Sequence, residues 1–116
     1  MSSDSIVQGN SIEDLNLSQY QWKNRLIITF SSVLDHPRIL SIRDEIEEKR
    51  CEFDNRHLVH LHVVTRDKDK DYYNIMLIGK DGGVKMEGPN VTLQAMFDKI
   101  DTMPMRRREM TRDSLC

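Results

Sequence analysis

The clearest hydrophobic pattern in the chain predicts a hairpin in its second half. Residues 75–78 form a continuous apolar run, and after a short gap Val84 and Met86 alternate with charged neighbours. Between the two runs lies the sequence GKDGG at residues 79–83, whose glycines can adopt the positive φ that a tight turn needs. The pattern therefore predicts two antiparallel strands joined by this turn.

Two further apolar runs predict strands in the first half. Residues 25–30 are almost continuously aliphatic, β-branched or aromatic, which is typical of a strand covered on both faces. Residues 58–64 alternate instead, so that Val59, Leu61 and Val63 share one face of a strand while His60 and His62 share the other.

Apolar residues at helical spacing predict two helices. The first follows a start signal in which Asp35 caps the helix and Pro37 lies in the first turn, and its charged face is opposite the apolar one. The second follows the hairpin, has Thr92 as its cap and ends before Pro104. The apolar stripe of the first helix is Ile39, Ile42, Ile46 and Phe53, and that of the second is Leu93, Met96, Phe97, Ile100 and Met103.

These elements occur in the order β-α-β-β-β-α. A helix that joins two strands at this length favours a right-handed parallel crossover, whereas the short turn requires antiparallel strands. We therefore predict an α/β fold with a mixed sheet and flanking helices. This is the core of a thioredoxin-like fold, with a charged loop near Asp69 in place of the helix that usually follows the second strand.

The length of 116 residues indicates one domain. We place it at residues 20–110, between a flexible polar N-terminal arm at residues 1–19 and a frayed tail at residues 111–116.

Charge and hydropathy exclude several classes of partner. The 17 basic and 19 acidic residues give a formal net charge of -2, which provides no global attraction for nucleic acid or an anionic membrane. No apolar window is long enough for a membrane span, and the N-terminus lacks the features of a signal peptide. We expect a cytoplasmic protein as the sequence is written, and an exported mature form would look the same if its signal peptide had been removed.

Four segments of the sequence resemble a known family. They are WKNRL at residues 22–26, DHPR at 35–38, LIGKDGGVK at 77–85 and IDTMPMRRREM at 100–110. Together they resemble a bacterial thioredoxin-like family, peroxiredoxin-like in fold, that is classed as a domain of unknown function. Related domains occur in extracellular sushi-repeat proteins and in a coiled-coil-named extracellular matrix protein. The resemblance covers residues 20–110 and implies a fold but no activity.

The resemblance also implies where a reactive cysteine would be. Peroxiredoxins place it just after the first strand, at a helix N-terminus, where the helix dipole lowers its pKa. This chain has Ser31 and Ser32 in that region and no CxxC pair, and residues 71–73 lack the proline that thioredoxins carry before the hairpin. Neither serine can perform thiol chemistry.

Cys51 is the only thiol inside the predicted domain, since Cys116 lies on the tail. We expect it near the C-terminal end of the first helix, where the dipole and neighbouring glutamates disfavour the thiolate. Our interpretation is a partly buried apolar residue. The alternative is a thiol redox or peroxide-handling protein that uses Cys51, so the sequence leaves open whether the chain is an enzyme, although it favours a non-catalytic protein.

His60 and His62 have a spacing that some metal sites use, but no third ligand is evident in the sequence. Packing within the sheet is the preferred interpretation, a metal site the alternative, and no cofactor is predicted. Free backbone N–H groups at the start of the first helix could hold a small anion beside Ser31 and Ser32.

A basic cluster near the C-terminus and one aromatic residue are the candidates for a docking surface. Arg106, Arg107 and Arg108 follow a methionine-rich segment, and Trp22 precedes the first strand. No aromatic residues interleave the arginines, so nucleic acid is not the expected partner. We therefore favour a non-catalytic module that binds a protein or another ligand through these four residues.

Overall fold

The computed structural model describes residues 4–8, 17–65 and 68–113, with side chains for residues 17–65 and 68–108. Its strands are β1 (Asp4–Gln8), β2 (Arg25–Ser31), β3 (Leu58–Val64), β4 (Tyr73–Ile78) and β5 (Val84–Gly88). Its helices are α1 (Pro37–Glu48), α2 (Arg50–Asn55), α3 (Leu93–Asp101) and α4 (Pro104–Asp113), and a 3-10 helix spans Leu17–Gln19.

The five strands form one mixed sheet in the order β1-β3-β2-β4-β5. β2 pairs in parallel with β3, β3 pairs in parallel with β1, and β4 runs antiparallel to both β2 and β5. The predicted parallel crossover and antiparallel hairpin are therefore confirmed, as is the thioredoxin-like mixed α/β fold. The described residues 68–72 between β3 and β4 contain no helix, as the charge density of this loop predicted.

Both faces of the central strand are buried, because separate apolar clusters cover the two sides of the sheet. Helices α1, α2 and α3 pack on one side, and the segment from Leu17 to Tyr20 contributes to the cover of the other side. The helix side includes Ile27, Ile39, Ile46, Phe53, Leu77 and Phe97, and the other side includes Leu26, Ile28, Phe30, Leu61, Val63 and Met76.

The N-terminal arm prediction was wrong for Asp4–Gln8, which forms edge strand β1. Only Ile6 and Val7 are apolar in this segment, so its five residues show no hydrophobic periodicity that would predict a strand. The strand is evident only from its pairing with β3. The prediction of a frayed tail at residues 111–116 was also wrong as far as Asp113, where helix α4 ends. Residues 114–116 lie outside the described part of the chain.

Three details of the helices also differ from the sequence-based predictions. The first predicted helix is two helices, because α1 ends at Glu48 and α2 begins at Arg50. Its cap is His36, whose Nδ1 accepts from the Arg38 N–H at 3.1 Å, while Asp35 is exposed. The second predicted helix does end before Pro104, at Asp101, but Pro104 then starts a further helix, α4, that was not predicted, since proline is well suited to a first helical turn.

The cap of α3 is confirmed, because the Thr92 hydroxyl accepts from the Ala95 N–H at 3.1 Å. Among the described residues, no helix has the length and apolar character needed to cross a membrane.

Candidate functional site

Two regions of the sheet carry the residues singled out from the sequence. One lies at the C-terminal ends of β2 and β3, where the resemblance to peroxiredoxins places a reactive cysteine. The other lies at the opposite end of the sheet, around Trp22 and the β4–β5 turn.

At the first region, both serine hydroxyls are bonded to backbone carbonyls. Ser31 Oγ donates to the Val33 carbonyl at 2.6 Å, and Ser32 Oγ donates to the Asp69 carbonyl. These bonds fix the β2–α1 loop against the charged loop that precedes β4.

Backbone N–H groups in the first turn of α1 are also hydrogen-bonded within the protein. His36 Nδ1 accepts from Arg38, the His36 carbonyl accepts from both Ile39 and Leu40, and the His36 Nε2–H donates to the Asp71 carbonyl at 3.1 Å. The predicted anion site beside Ser31 and Ser32 therefore lacks support, because these bonds occupy the donors on which that prediction depended.

Beneath this loop, a hydrogen-bonded chain joins two buried histidines of β3 to β2. Thr29 Oγ1 lies 2.8 Å from His60 Nε2 and 2.8 Å from His62 Nδ1, and His62 Nε2 lies 3.0 Å from Ser31 Oγ. Register explains the contact, since Thr29 is paired directly with His62 across the parallel strands.

The hydroxyls set the direction of this chain, because each has one proton to donate. Ser31 donates to Val33, so it accepts from His62 Nε2–H, and the unprotonated Nδ1 of His62 then accepts from the Thr29 hydroxyl. Thr29 in turn accepts from His60 Nε2–H. The resulting relay, His60 to Thr29 to His62 to Ser31, accounts for these side-chain contacts with neutral imidazoles, whereas the 3.1 Å contact between His62 Nδ1 and the Thr29 carbonyl is a hydrogen bond only when Nδ1 is protonated.

The electrostatics agree with this assignment. Burial, helped by the neighbouring His60 and by Arg43, lowers the pKa of His62 from 6.5 to about 4. His62 is therefore neutral at pH 7. Both histidines contact the Thr29 hydroxyl. Among the described residues, no group of three or more His, Cys, Asp or Glu side chains is arranged to hold a metal ion.

Cys51 lies in the first turn of α2 and is exposed, so the interpretation of Cys51 as a partly buried apolar residue was wrong. The prediction that it lies near the negative end of a long helix was wrong, because the break at Lys49 starts a new helix before it. Cys51 is disulfide-bonded, and no free cysteine occurs among the described residues. The other cysteine of the chain, Cys116, lies outside them.

Arg106 is a structural residue and not part of a docking surface. Its side chain is only 3% exposed, its Nε donates to Asp101 Oδ1 at 3.1 Å, and its Nη1 donates to the Asn55 carbonyl at 3.0 Å. Arg56 binds the second oxygen of Asp101 at 2.8 Å. The structure thus corrects the predicted docking role of Arg106, whereas Arg107 and Arg108 are exposed.

Asp101 remains charged between these two arginines. Burial alone would raise the pKa of its carboxyl group, but the hydrogen bonds from Arg56 and Arg106 outweigh burial and lower it. This pair of bonds joins α3 and α4 to the end of α2.

Trp22 borders a cleft of about 300 Å³ at the other end of the sheet. Its side chain is 60% exposed, and its φ of 69° lies in the left-handed region that bulky residues rarely adopt. The Trp22 N–H donates to the Lys80 carbonyl at 2.6 Å, which holds this backbone against the hairpin turn. The cleft is lined by Trp22, Arg25, Gly79, Lys80, Asp81, Lys85, Met103, Pro104 and Met105.

Lys80 connects Trp22 to a second residue with unusual backbone geometry. Its Nζ donates to His57 Nδ1 at 2.7 Å, and His57 has a φ of 56°. Trp22 and His57 are the two non-glycine residues with positive φ in the described ranges. Such conformations cost free energy and concentrate at functional sites, so this end of the sheet is a candidate binding region.

The β4–β5 turn positions the charged side chains of the cleft. Lys85 Nζ binds Asp81 Oδ2 at 2.9 Å, and the hydrogen bonds from the Gly83 N–H and from Lys85 lower the pKa of Asp81. A Cβ on Gly79 would lie 2.6 Å from Lys85 Cε, so only glycine at this position leaves room for the lysine in its present path.

The family of the chain is now clear from comparison with known proteins. A family model described as "Domain of unknown function (DUF4174)" matches residues 16–71 and 66–109. The chain belongs to this family. The match agrees with the resemblance noted from sequence segments in residues 20–110.

The DUF4174 domain also resembles solved structures of peroxiredoxins. It is similar to the reduced 2-Cys peroxiredoxin of Plasmodium vivax, with a TM-score of 0.60, 12% identity, and coverage of 81% of this chain and 85% of that chain. The mitochondrial 2-Cys peroxiredoxin of Plasmodium falciparum gives a TM-score of 0.56 at 12% identity, covering 88% and 86% of the two chains. At this identity the similarity establishes the fold alone.

The structure thus brings together only part of the predicted site of this DUF4174 domain. Trp22 lines the cleft, but Arg106, Arg107 and Arg108 do not. Sequence reasoning missed Arg25, Lys80 and Lys85, which come from the start of β2 and from the hairpin. The available signal was that both lysines lie beside the glycine turn, from which we had predicted only the hairpin.

Proposed function

We propose that this DUF4174 domain is a non-catalytic binding module that holds its ligand in the cleft beside Trp22. The observation that carries the proposal is the combination of an exposed indole, strained backbone and a preformed cleft at one end of the sheet. Ligand sites are typically concave, partly apolar and largely preformed, and 300 Å³ lies at the lower limit of their usual size.

The other end of the sheet supports the non-catalytic part of the proposal. The hydroxyls of Ser31 and Ser32 donate to backbone carbonyls, and neither has the thiol that peroxiredoxin chemistry requires. His62, the nearest imidazole, is part of the buried relay and has a low pKa. A general base for serine activation would need a pKa closer to the working pH.

The second candidate is a thiol redox protein that uses Cys51. It is favoured by the exposure of Cys51 and by its participation in a disulfide. Bacterial origin, cytoplasmic location and a relationship to sushi-repeat proteins stay predictions.

A peroxidase assay separates the two candidates. The full chain is reduced with dithiothreitol, and peroxide consumption is followed at pH 7 for the wild type and Cys51→Ser. We expect both proteins to consume peroxide at the rate of dithiothreitol alone. Turnover that the wild type shows and Cys51→Ser lacks would contradict the non-catalytic proposal.

A second measurement addresses the reactivity of the thiol itself. The rate at which a thiol reagent modifies reduced Cys51 is compared with the rate in the same protein unfolded in urea. Because thiolate and exposure control this rate, a non-catalytic Cys51 should react no faster in the folded protein. A folded-state rate at least tenfold higher would favour the redox alternative.

A further inference from the structure

Helix α4 has little hydrophobic surface with which to pack against the rest of the protein. Its hydrophobic side chains are those of Met105 and Met110, and Met105 is 39% exposed. Among residues 104–108, the part of α4 whose side chains the structure describes, only Arg106 is buried. A helix of ten residues without an apolar stripe is marginally stable in water. Helix α4 therefore needs anchors other than apolar packing.

The first anchor is Arg106 in the first turn of α4. Its bonds to Asp101 and to the Asn55 carbonyl tie this turn to the end of α3 and to the last residue of α2. Residues 107–113 of the helix lie beyond this anchor. Because short helices fray from their ends, Arg106 alone does not account for a helix that continues to Asp113.

A second anchor is available from the disulfide of Cys51. Cys51 lies on α2 one turn before Asn55, whose carbonyl accepts from Arg106. It is disulfide-bonded, and the chain contains one other cysteine, Cys116. Cys116 follows the last residue of α4 by three positions, and three residues of extended chain span up to about 10 Å.

We propose that a disulfide between Cys51 and Cys116 latches the C-terminal end of α4 to α2. Its reduction releases residues 107–113, while Arg106 keeps the first turn of the helix in place. The latch is a redox-sensitive device in the fold, and it goes beyond the proposed binding function because it involves neither the cleft nor peroxide turnover.

Reduction of the latch is a thiol–disulfide exchange with a soluble dithiol. One thiolate of the dithiol attacks a sulfur of the protein disulfide, and the other protein sulfur leaves as a thiolate. The second thiol of the dithiol then resolves the mixed disulfide, so the protein gains two electrons and two protons and the dithiol becomes a disulfide. Cys51 is exposed, which leaves the bond open to this attack, and exposed disulfides are among the labile ones.

The first measurement identifies the bond. The full chain is purified without reductant, its free thiols are alkylated, and the monomer is digested with trypsin under non-reducing conditions. Cys51 falls in the tryptic peptide CEFDNR at residues 51–56, and Cys116 falls in DSLC at residues 113–116. We expect mass spectrometry to find these peptides as one cross-linked species that separates on reduction. Alkylated cysteines in the monomer, or a covalent dimer through Cys51 of two chains, would overturn the pairing.

The second measurement tests whether the bond holds the helix. Amide hydrogen exchange is followed by mass spectrometry at pH 7 for the oxidised protein and for the protein reduced with dithiothreitol. We expect residues 107–113 to exchange at least about tenfold faster after reduction, whereas α3 keeps its protection. Equal exchange of residues 107–113 in the two forms would overturn the proposal, because the bond would then not restrain α4.

Cys51→Ser and Cys116→Ser are matched variants, since each removes the same bond from a different end. In both variants residues 107–113 should exchange at the fast rate of the reduced wild type, with or without dithiothreitol. Cys116→Ser changes the tail and leaves α2 intact, so it separates loss of the latch from damage to α2. Slow exchange of residues 107–113 in Cys116→Ser would contradict the latch.

Discussion

Arg106 reaches back across the α3–α4 junction to bind Asp101, with 3.1 Å between its Nε and Oδ1 of the carboxylate. The same guanidinium donates to the Asn55 carbonyl at the end of α2. One side chain of a basic cluster therefore holds three helices together, while its neighbours Arg107 and Arg108 are exposed.

Replacing Arg106 should destabilise the fold, whereas replacing its neighbour should not. Arg106→Ala removes the bonds to Asp101 and to a buried carbonyl, and we expect a loss of about 2–4 kcal/mol in the free energy of unfolding. Arg107→Ala, an exposed change in the same helix, should stay within about 0.5 kcal/mol of the wild type. Urea unfolding at pH 7 measures both, and a similar effect of the two changes would contradict the structural role of Arg106.

The charge of Asp101 should make part of the stability depend on acid pH. Its folded pKa lies below the unfolded value of about 3.9, so its contribution is complete above that value and is lost as pH falls through the folded pKa. Because the side chain is 33% exposed, we expect Asp101→Asn to be only about 1–2 kcal/mol less stable at pH 7.

The measurement is urea unfolding of the wild type and Asp101→Asn between pH 7 and pH 2.5. The gap between the two proteins should close below pH 4, and other carboxylates cancel because both proteins contain them. A gap that stays constant over this range would mean that ionisation of Asp101 contributes nothing.

The parts of the fold that the sequence predicted are those with strong local patterns. β2 and β4 have apolar runs, β3 alternates, and α3 combines a stripe with the Thr92 cap. β1 lacked such a pattern, and the division of the first helix at Lys49 interrupts a spacing that looks continuous in sequence. β1 depends on pairing with β3, a distant segment, and no glycine or proline marks the break at Lys49 in the sequence.

The candidate site was less predictable for the same reason. The cleft combines the start of β2, the β4–β5 turn and the α3–α4 junction, which lie far apart in the sequence. Charge alone also did not separate Arg106 from Arg107, because burial is decided by the way α4 packs. Trp22 could be named as a candidate from the sequence because a single tryptophan before a predicted strand is noticed without tertiary information.

Thr29 should be essential to the buried relay between β2 and β3. Thr29→Val keeps the shape but removes the hydroxyl that His60 and His62 both contact, and we expect a loss of about 2–4 kcal/mol in the free energy of unfolding. Thr29→Ser keeps the hydroxyl and should cost about 1 kcal/mol through its lost methyl group. If the two variants have equal stability in urea, the hydrogen bonds are not what the threonine contributes.

Protonation of His62 should oppose folding between pH 6.5 and about 4. Its pKa is about 4 in the folded protein and near 6.5 when unfolded, so the unfolded state binds the proton more tightly. The stability associated with neutral His62 is complete above pH 6.5 and is lost progressively as pH falls toward 4. From this difference in pKa, we expect a loss of about 2–3 kcal/mol across the interval.

His62→Gln supplies the comparison, because glutamine cannot take up the proton. The variant should be less stable at pH 7 but should lose about 2–3 kcal/mol less between pH 7 and pH 4 than the wild type. Its absolute stability does not matter, since the slope against pH is the measured quantity. NMR titration of the His62 ring gives the folded pKa directly, and a midpoint near 6.5 with parallel stability curves would contradict the neutral relay.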